Sequence, residues 1–152
     1  MKIITDDLRG EEIRRLLEEH LEDMYATTPA ASVHALDLEA LRQPDITFWT
    51  IWKESSLAGC IALKELDKHH GEIKSMRTPR QLRGQGAARL LLQHLVDEAR
   101  RRKYARLSLE TGSAAFFEPA RTLYASFGFE YGAPFATYVE DPNSVFMTRL
   151  ID

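Results

Sequence analysis

Between residues 80 and 89 the chain reads RQLRGQGAAR, setting Gly84 and Gly86 among Arg80, Arg83 and Arg89 where an apolar-periodic helix pattern begins. The first N–H groups of a helix lack intrahelical partners and lie at the positive end of its dipole, so an anion docks there. Glycines let the backbone approach the ligand and arginines add charge, which fits a phosphate or pyrophosphate. Two nucleotide motifs are excluded: G-x-x-x-x-G-K-[ST] is absent, and a dinucleotide fingerprint needs glycine or a near equivalent where Arg89 stands. The same glycines would also serve a plain tight turn from strand to helix, and this stretch by itself leaves both readings open.

Carboxylates stand on both sides of that pattern. Glu110 closes a strand and can be a base, an anchor for a substrate, or a turn cap. Glu72 starts a strand and can equally face solvent. Tyr124, in LYASFGF, reads without context as a half-buried aromatic between helix and sheet. His69 and His70 sit in a hairpin turn, where adjacent imidazoles do not share one metal, and solvent exposure is expected for both; no metal site is expected anywhere. His34 and Tyr138 are candidates for the border of an acceptor pocket by their loop context alone. Trp49 and Trp52, three apart on a strand, face opposite sides, one core and one surface.

These groups need elements to hold them. KIIT (2–5) predicts a strand, and the recurrence of Ile13, Leu16, Leu17, Leu21 and Met24 predicts a one-sided helix over 11–25. A loop at 27–32 and a short helix at 37–44 follow, the latter stopped by Pro44. ITFWTIWKE (46–54) and LAGCIALKEL (57–66) form a hairpin, and EIKSMRT (72–78) a third strand with Glu72, Lys74, Met76 and Thr78 on one face. A helix of about 84–102 buries Leu91, Leu92, Leu95, Val96 and Ala99. Then come a strand at 105–110, a helix at 114–126 that tolerates Pro119 in its first turn, and two closing strands. The strand-helix-strand unit at 72–110 implies a parallel pair joined by a right-handed crossover in a mixed α/β sheet.

With 152 residues, 44% hydrophobic and 28% charged, the chain suits one folded soluble domain over 1–152. A net charge of -3 argues against nucleic acid as a partner. Cys60, the single cysteine, lies in an apolar run and reads as a buried small hydrophobe. No segment approaches eighteen consecutive apolar residues, so no membrane partner is expected and the cytoplasm is the default address.

QLRGQG resembles the Q/R-x-x-G-x-G/A loop that holds the acetyl-CoA pyrophosphate in the GNAT family of N-acetyltransferases. ARTLYASFGF (120–129) is similar to that family's A-x-x-L-Y-x-x-x-G-F segment, and the element order matches over essentially the whole chain. LETG (109–112), PFATY (134–138) and DPNSVFM (141–147) are similar to a bacterial branch labelled indole-3-acetic-acid acetyltransferase-like. The resemblance implies an α/β fold whose mixed, mostly antiparallel central sheet has a parallel pair splayed at the cofactor cleft, with helices on both faces.

It further implies an acetyl-CoA-dependent N-acetyltransferase acting on a primary amine of a small molecule by direct attack, and is compatible with a homodimer. Gln81 and the amides of Arg83, Gly84, Gln85, Gly86, Ala87 and Ala88 would hold the pyrophosphate. The exposed backbone of Met76, Arg77 and Thr78 would pair with the pantetheine arm as an added strand, putting an N–H at Met76 near the thioester oxygen. Ala120 and Phe117 would flank that arm. Phe117 stands where many members carry asparagine, which puts one polar contact in question. Tyr124 matches the general acid that protonates the departing sulfur, and Glu72 the strand position of the base in histone-acetyltransferase-type members. A CoA-binding sensor without turnover, or an enzyme acting on a protein amine, would share these features.

Overall fold

A computed structural model describes all 152 residues. Its elements follow the predicted order: strand β1 (Lys2–Thr5), helices α1 (Glu11–Thr27) and α2 (Leu38–Leu41), strands β2 (Ile46–Lys53), β3 (Ser56–Asp67) and β4 (His70–Arg77), helix α3 (Ala87–Arg101), strand β5 (Arg106–Gly112), helix α4 (Glu118–Ser126), and strands β6 (Glu130–Gly132) and β7 (Ser144–Leu150). The seven strands make one sheet in the order β1-β2-β3-β4-β5-β7-β6. Every neighbouring pair is antiparallel except β4 and β5.

The sheet is covered on both faces because its alternating apolar residues must be hidden on each. On one face α3 buries Leu91, Leu92, Leu95, Val96 and Ala99 against Trp49, Ile61, Leu63, Leu107 and Met147. Each large aliphatic side chain so hidden contributes roughly 2 kcal/mol before chain entropy is counted. On the other, Ile13, Leu16 and Leu17 of α1 and Leu41 of α2 meet Phe48, Cys60 and Ala62. Trp49 and Trp52 fall on opposite faces, as their spacing requires.

Two features of β4 prepare the site. Its parallel pairing with β5 runs only from His70 to Ile73, opposite Arg106 to Leu109, after which the strands part. Immediately beyond, two steps along β3 (Cys60 to Ala62) oppose three along β4 (Lys74 to Arg77), a bulge in which Ser75 takes φ +52°. The bulge inverts the alternation after Lys74. Glu72 and Lys74 therefore face the α1 side with Arg77, whereas Met76 packs on the α3 side, contrary to the single face expected for Glu72, Lys74, Met76 and Thr78.

His70 departs from expectation too. It is buried inside β4, its ring Nε2 2.7 Å from Ser108 Oγ; burial lowers its pKa below the ordinary histidine value, while His69 alone is exposed.

Candidate active site

The parting of β4 and β5 opens a cleft of about 510 Å3. One wall is β4 from Glu72 to Thr78, continuing through Leu82, Arg83 and Gly84 into the start of α3. The other is Glu110 to Gly112 with the turn and first residues of α4, and α1 with the loop after it closes one end.

At the other end the helix starts as its sequence suggested, though at Ala87 rather than residue 84, with a single 3₁₀ turn at Arg80–Leu82 before it. Gly84 and Gly86 have φ of +78° and +87°, and a Cβ on either would meet no protein atom within 4 Å. They are not needed for packing, and their open side is the cleft. None of the main-chain N–H groups from Arg83 to Arg89 donates to another group of the protein, and the first helical bond runs from Leu90 N–H to Gly86 O. Seven donors at the positive end of a fifteen-residue helix fit a diphosphate.

The arginines divide their work. Arg80 is taken up by Asp23 (2.6 Å) and Glu19 on α1, and so brings no free charge to the cleft. Arg77, 4% exposed, bridges the same two carboxylates at 2.5 Å each, which locks α1 to the end of β4. Arg83 lies over the Phe116 ring and Arg89 over Phe127, and neither is in an ion pair. Of the predicted cofactor residues, Met76, Arg77, Thr78, Arg83, Gly84, Gly86, Ala87, Ala88, Phe117 and Ala120 line the cleft; Gln81 and Gln85 do not. Both glutamines are exposed, and the Gln85 amide oxygen accepts from Lys53.

Tyr124 reaches the cleft from α4. It is 6% exposed, and its hydroxyl has one partner, Met76 Sδ at 3.7 Å, a weak acceptor. Burial raises its pKa well above the ordinary tyrosine value, so the phenol keeps its proton at neutral pH. Phe117 packs its ring against Gly112, where a Cβ would lie 2.2 Å from it, so only glycine fits at the end of β5. The ring offers the cleft an apolar wall.

The two candidate acids differ in what surrounds them. Glu72 is buried, in an ion pair with Lys74 (3.1 Å) and accepting a hydrogen bond from the Tyr138 hydroxyl (2.6 Å); Lys74 also donates to that hydroxyl at 2.9 Å. It is thus the counter-ion of Lys74, with the Tyr138 hydroxyl bonded to both. Glu110, one residue past the last paired position of β5, is the cross-strand neighbour that Lys74 would have met had the strands stayed together. Its carboxylate is in no ion pair and lines the cleft, with the Ser144 hydroxyl nearby. Burial pushes it above the usual carboxylate range, with Ser144, His34 and Lys74 pulling the other way.

Two contributors were not found by sequence reasoning. Lys74 looked like any surface lysine of a strand, and the bulge at Ser75 carries no glycine to announce it. His20 lines the cleft from α1, 9% exposed, with Nδ1 buried and unpartnered; burial beside Arg77 lowers its pKa to about 4. Its place in the apolar stripe of α1 was the available signal. Of the two residues expected at the border of an acceptor pocket, His34 lines the cleft, and Tyr138 stands behind Lys74 and Glu72 with the His34 ring edge-on to its own at 5.0 Å.

A splayed parallel strand pair, a glycine turn of free amides and a buried tyrosine over the gap define an acyl-carrier cleft. Residues 11–129 match the acetyltransferase (GNAT) family, and the chain belongs to it. It is 59% identical over 149 residues to the uncharacterized N-acetyltransferase YsnE of Bacillus subtilis (strain 168), covering 98% of this chain and 99% of that one. With the IAA acetyltransferase of Azospirillum brasilense it shares 37% identity over 135 residues, 88% of this chain and 84% of the other. The fold is that of a GNAT family acetyltransferase from Elizabethkingia anophelis solved with acetyl-CoA bound: TM-score 0.71, 17% identity, 98% of this chain and 97% of that one covered. No helix is long and apolar enough to cross a membrane.

Proposed function

We propose that the whole chain works as one acetyltransferase domain that moves an acetyl group from acetyl-CoA to a primary amine of a small molecule. The observation that carries this reading is the unbroken run of unpartnered N–H groups from Arg83 to Arg89, opening on the same cleft as Tyr124 and Glu110. The names of the relatives, both acetyltransferases, support it.

Acetyl-CoA supplies an acyl group already activated as a thioester. The amides of Arg83 to Ala88 hold its diphosphate, and the β4 edge from Met76 to Thr78, released from β5 by the splay, pairs with the pantetheine arm. Glu110 takes the proton that the amine sheds as its nitrogen attacks the carbonyl carbon. The Met76 N–H stabilises the negative oxygen. As the C–S bond breaks, Tyr124 gives its phenolic proton to the thiolate and is reprotonated from solvent. Glu110 suits the base because it is the cleft carboxylate outside any ion pair; Glu72, ion-paired to Lys74, keeps that lysine and Tyr138 in place.

The test pairs two measurements: a thermal shift with acetyl-CoA, and thiol release from acetyl-CoA with benzylamine, spermidine and lysine methyl ester. Stabilisation together with amine-dependent thiol release is expected, and Tyr124→Phe should lower kcat by roughly 100-fold while leaving the shift intact. Absence of any acetyl-CoA shift sinks the whole reading. Full turnover by Tyr124→Phe sinks the assignment of the proton donor.

A further inference from the structure

The bulge in β4, just beyond the point where it parts from β5, rests on a residue in an unfavourable conformation. Ser75 holds φ +52°, a region that side chains with a Cβ seldom occupy, and its own hydroxyl is buried without a partner. Small polar residues tolerate this region when the side chain bonds locally, and Ser75 does not do so. Something else must hold its peptide. The Sγ of Cys60, across the strand on β3, lies 3.2 Å from the Ser75 carbonyl oxygen. Cys60 is fully buried, and burial pushes its thiol up to about 12, so the S–H is retained as a donor. The contact falls where the register between β3 and β4 slips, at Cys60.

We propose that Cys60 is a positioning residue for the transfer reaction: its thiol donates to the Ser75 carbonyl, fixes the left-handed bulge, and so sets where Met76 presents its N–H to the cleft. The inference rests on the transferase reading above. It goes beyond it by giving the lone buried cysteine a directional task that a packing role would not supply. A thiol suits the place. It is small enough for a fully enclosed site between sheet and α1, and as a weak donor it costs little to bury while still satisfying a carbonyl. Leu16 and Leu17 belong to the same apolar cluster, which encloses the sulfur.

Three substitutions separate donor from volume. Cys60→Val fills the site without a donor, Cys60→Ala removes both, and Cys60→Ser keeps a donor. With acetyl-CoA and the best amine of the panel, Cys60→Val and Cys60→Ala should lose roughly five- to tenfold in kcat, about the worth of one hydrogen bond, with the acetyl-CoA KM within about twofold. Cys60→Ser should recover most of that loss. Adding Ser75→Gly to Cys60→Val should recover it as well, because glycine takes a positive φ without strain. Amide hydrogen exchange at Ser75 to Arg77 should speed up roughly tenfold in Cys60→Val and return to wild type in the double variant.

The proposal is overturned if Cys60→Val keeps wild-type kcat and exchange, or if Cys60→Ser is as impaired as Cys60→Val. It is also overturned if Ser75→Gly gives no recovery. Should the wild-type protein release no thiol with any amine, the transferase reading fails; the exchange experiment still decides whether Cys60 holds the bulge.

Discussion

Gly86→Ala is the sharpest probe of the turn proposed to hold the diphosphate, because the structure separates what the substitution does to the fold from what it does to the proposed ligand. Gly86 caps α3 at φ +87° and ψ 4°, with no protein atom within 4 Å of an added Cβ. The fold therefore pays no clash, only the left-handed penalty of about 1–2 kcal/mol, partly offset by a less flexible unfolded chain. A net loss of about 1 kcal/mol lowers the unfolding midpoint by roughly 2–4 °C in a domain of this size. The methyl group, however, projects from a wall whose neighbours are the unpartnered amides, where the diphosphate is proposed to lie. A tenfold weaker Kd for acetyl-CoA is expected. At a ligand concentration of about 100 times the wild-type Kd, wild type gains ~2.7 kcal/mol and the variant ~1.4 kcal/mol, so the thermal shift should fall by about half. Calorimetric titration measures the Kd directly. If the variant loses the expected stability and yet binds acetyl-CoA as wild type does, Gly86 is only a turn residue and the diphosphate lies elsewhere.

Two further outcomes follow from the buried charges. Glu110→Gln should reduce kcat by about 100-fold with little change in acetyl-CoA affinity, and the acid limb of wild-type kcat/KM should lie above the ordinary carboxylate range, because burial raises this group. Glu72→Gln should instead cost about 3 kcal/mol of stability in urea unfolding by leaving Lys74 uncompensated; a stable but inactive Glu72→Gln beside an active Glu110→Gln would reverse the two roles. His20 makes the protein acid-sensitive. With its folded pKa near 4 and an unfolded value near 6.5, the unfolded chain binds the extra proton first, so stability is intact above pH 6.5 and falls as pH drops toward 4. Between pH 7.5 and 5 that loss is about 2 kcal/mol, and the stability of His20→Gln, measured by urea unfolding, should drop by correspondingly less over the same interval; equal losses would mean that His20 is not held neutral.

The sequence alone determined the elements and the turn. Apolar residues at three- and four-residue spacing in α1 and α3, alternation in β2 and β3, and glycines with arginines ahead of α3 are local signals, because each reflects what a segment of ten or twenty residues must bury or expose. Tyr124 and the loop were legible through their resemblance to a family pattern. What the tertiary structure decided is which candidates are free to act. Glu72 and Glu110 look alike as letters, yet one meets Lys74 and Tyr138, sixty-six residues away for the latter, while the parting of two strands leaves the other outside any ion pair. Arg80 and Arg83, three apart, divide because α1 offers carboxylates to the first. His70 went inside because Ser108 of β5 waits for its ring. Charge compensation and burial depend on partners distant in sequence, and a one-residue bulge at Ser75 turns every side chain after it to the opposite face; neither is written in the local spacing.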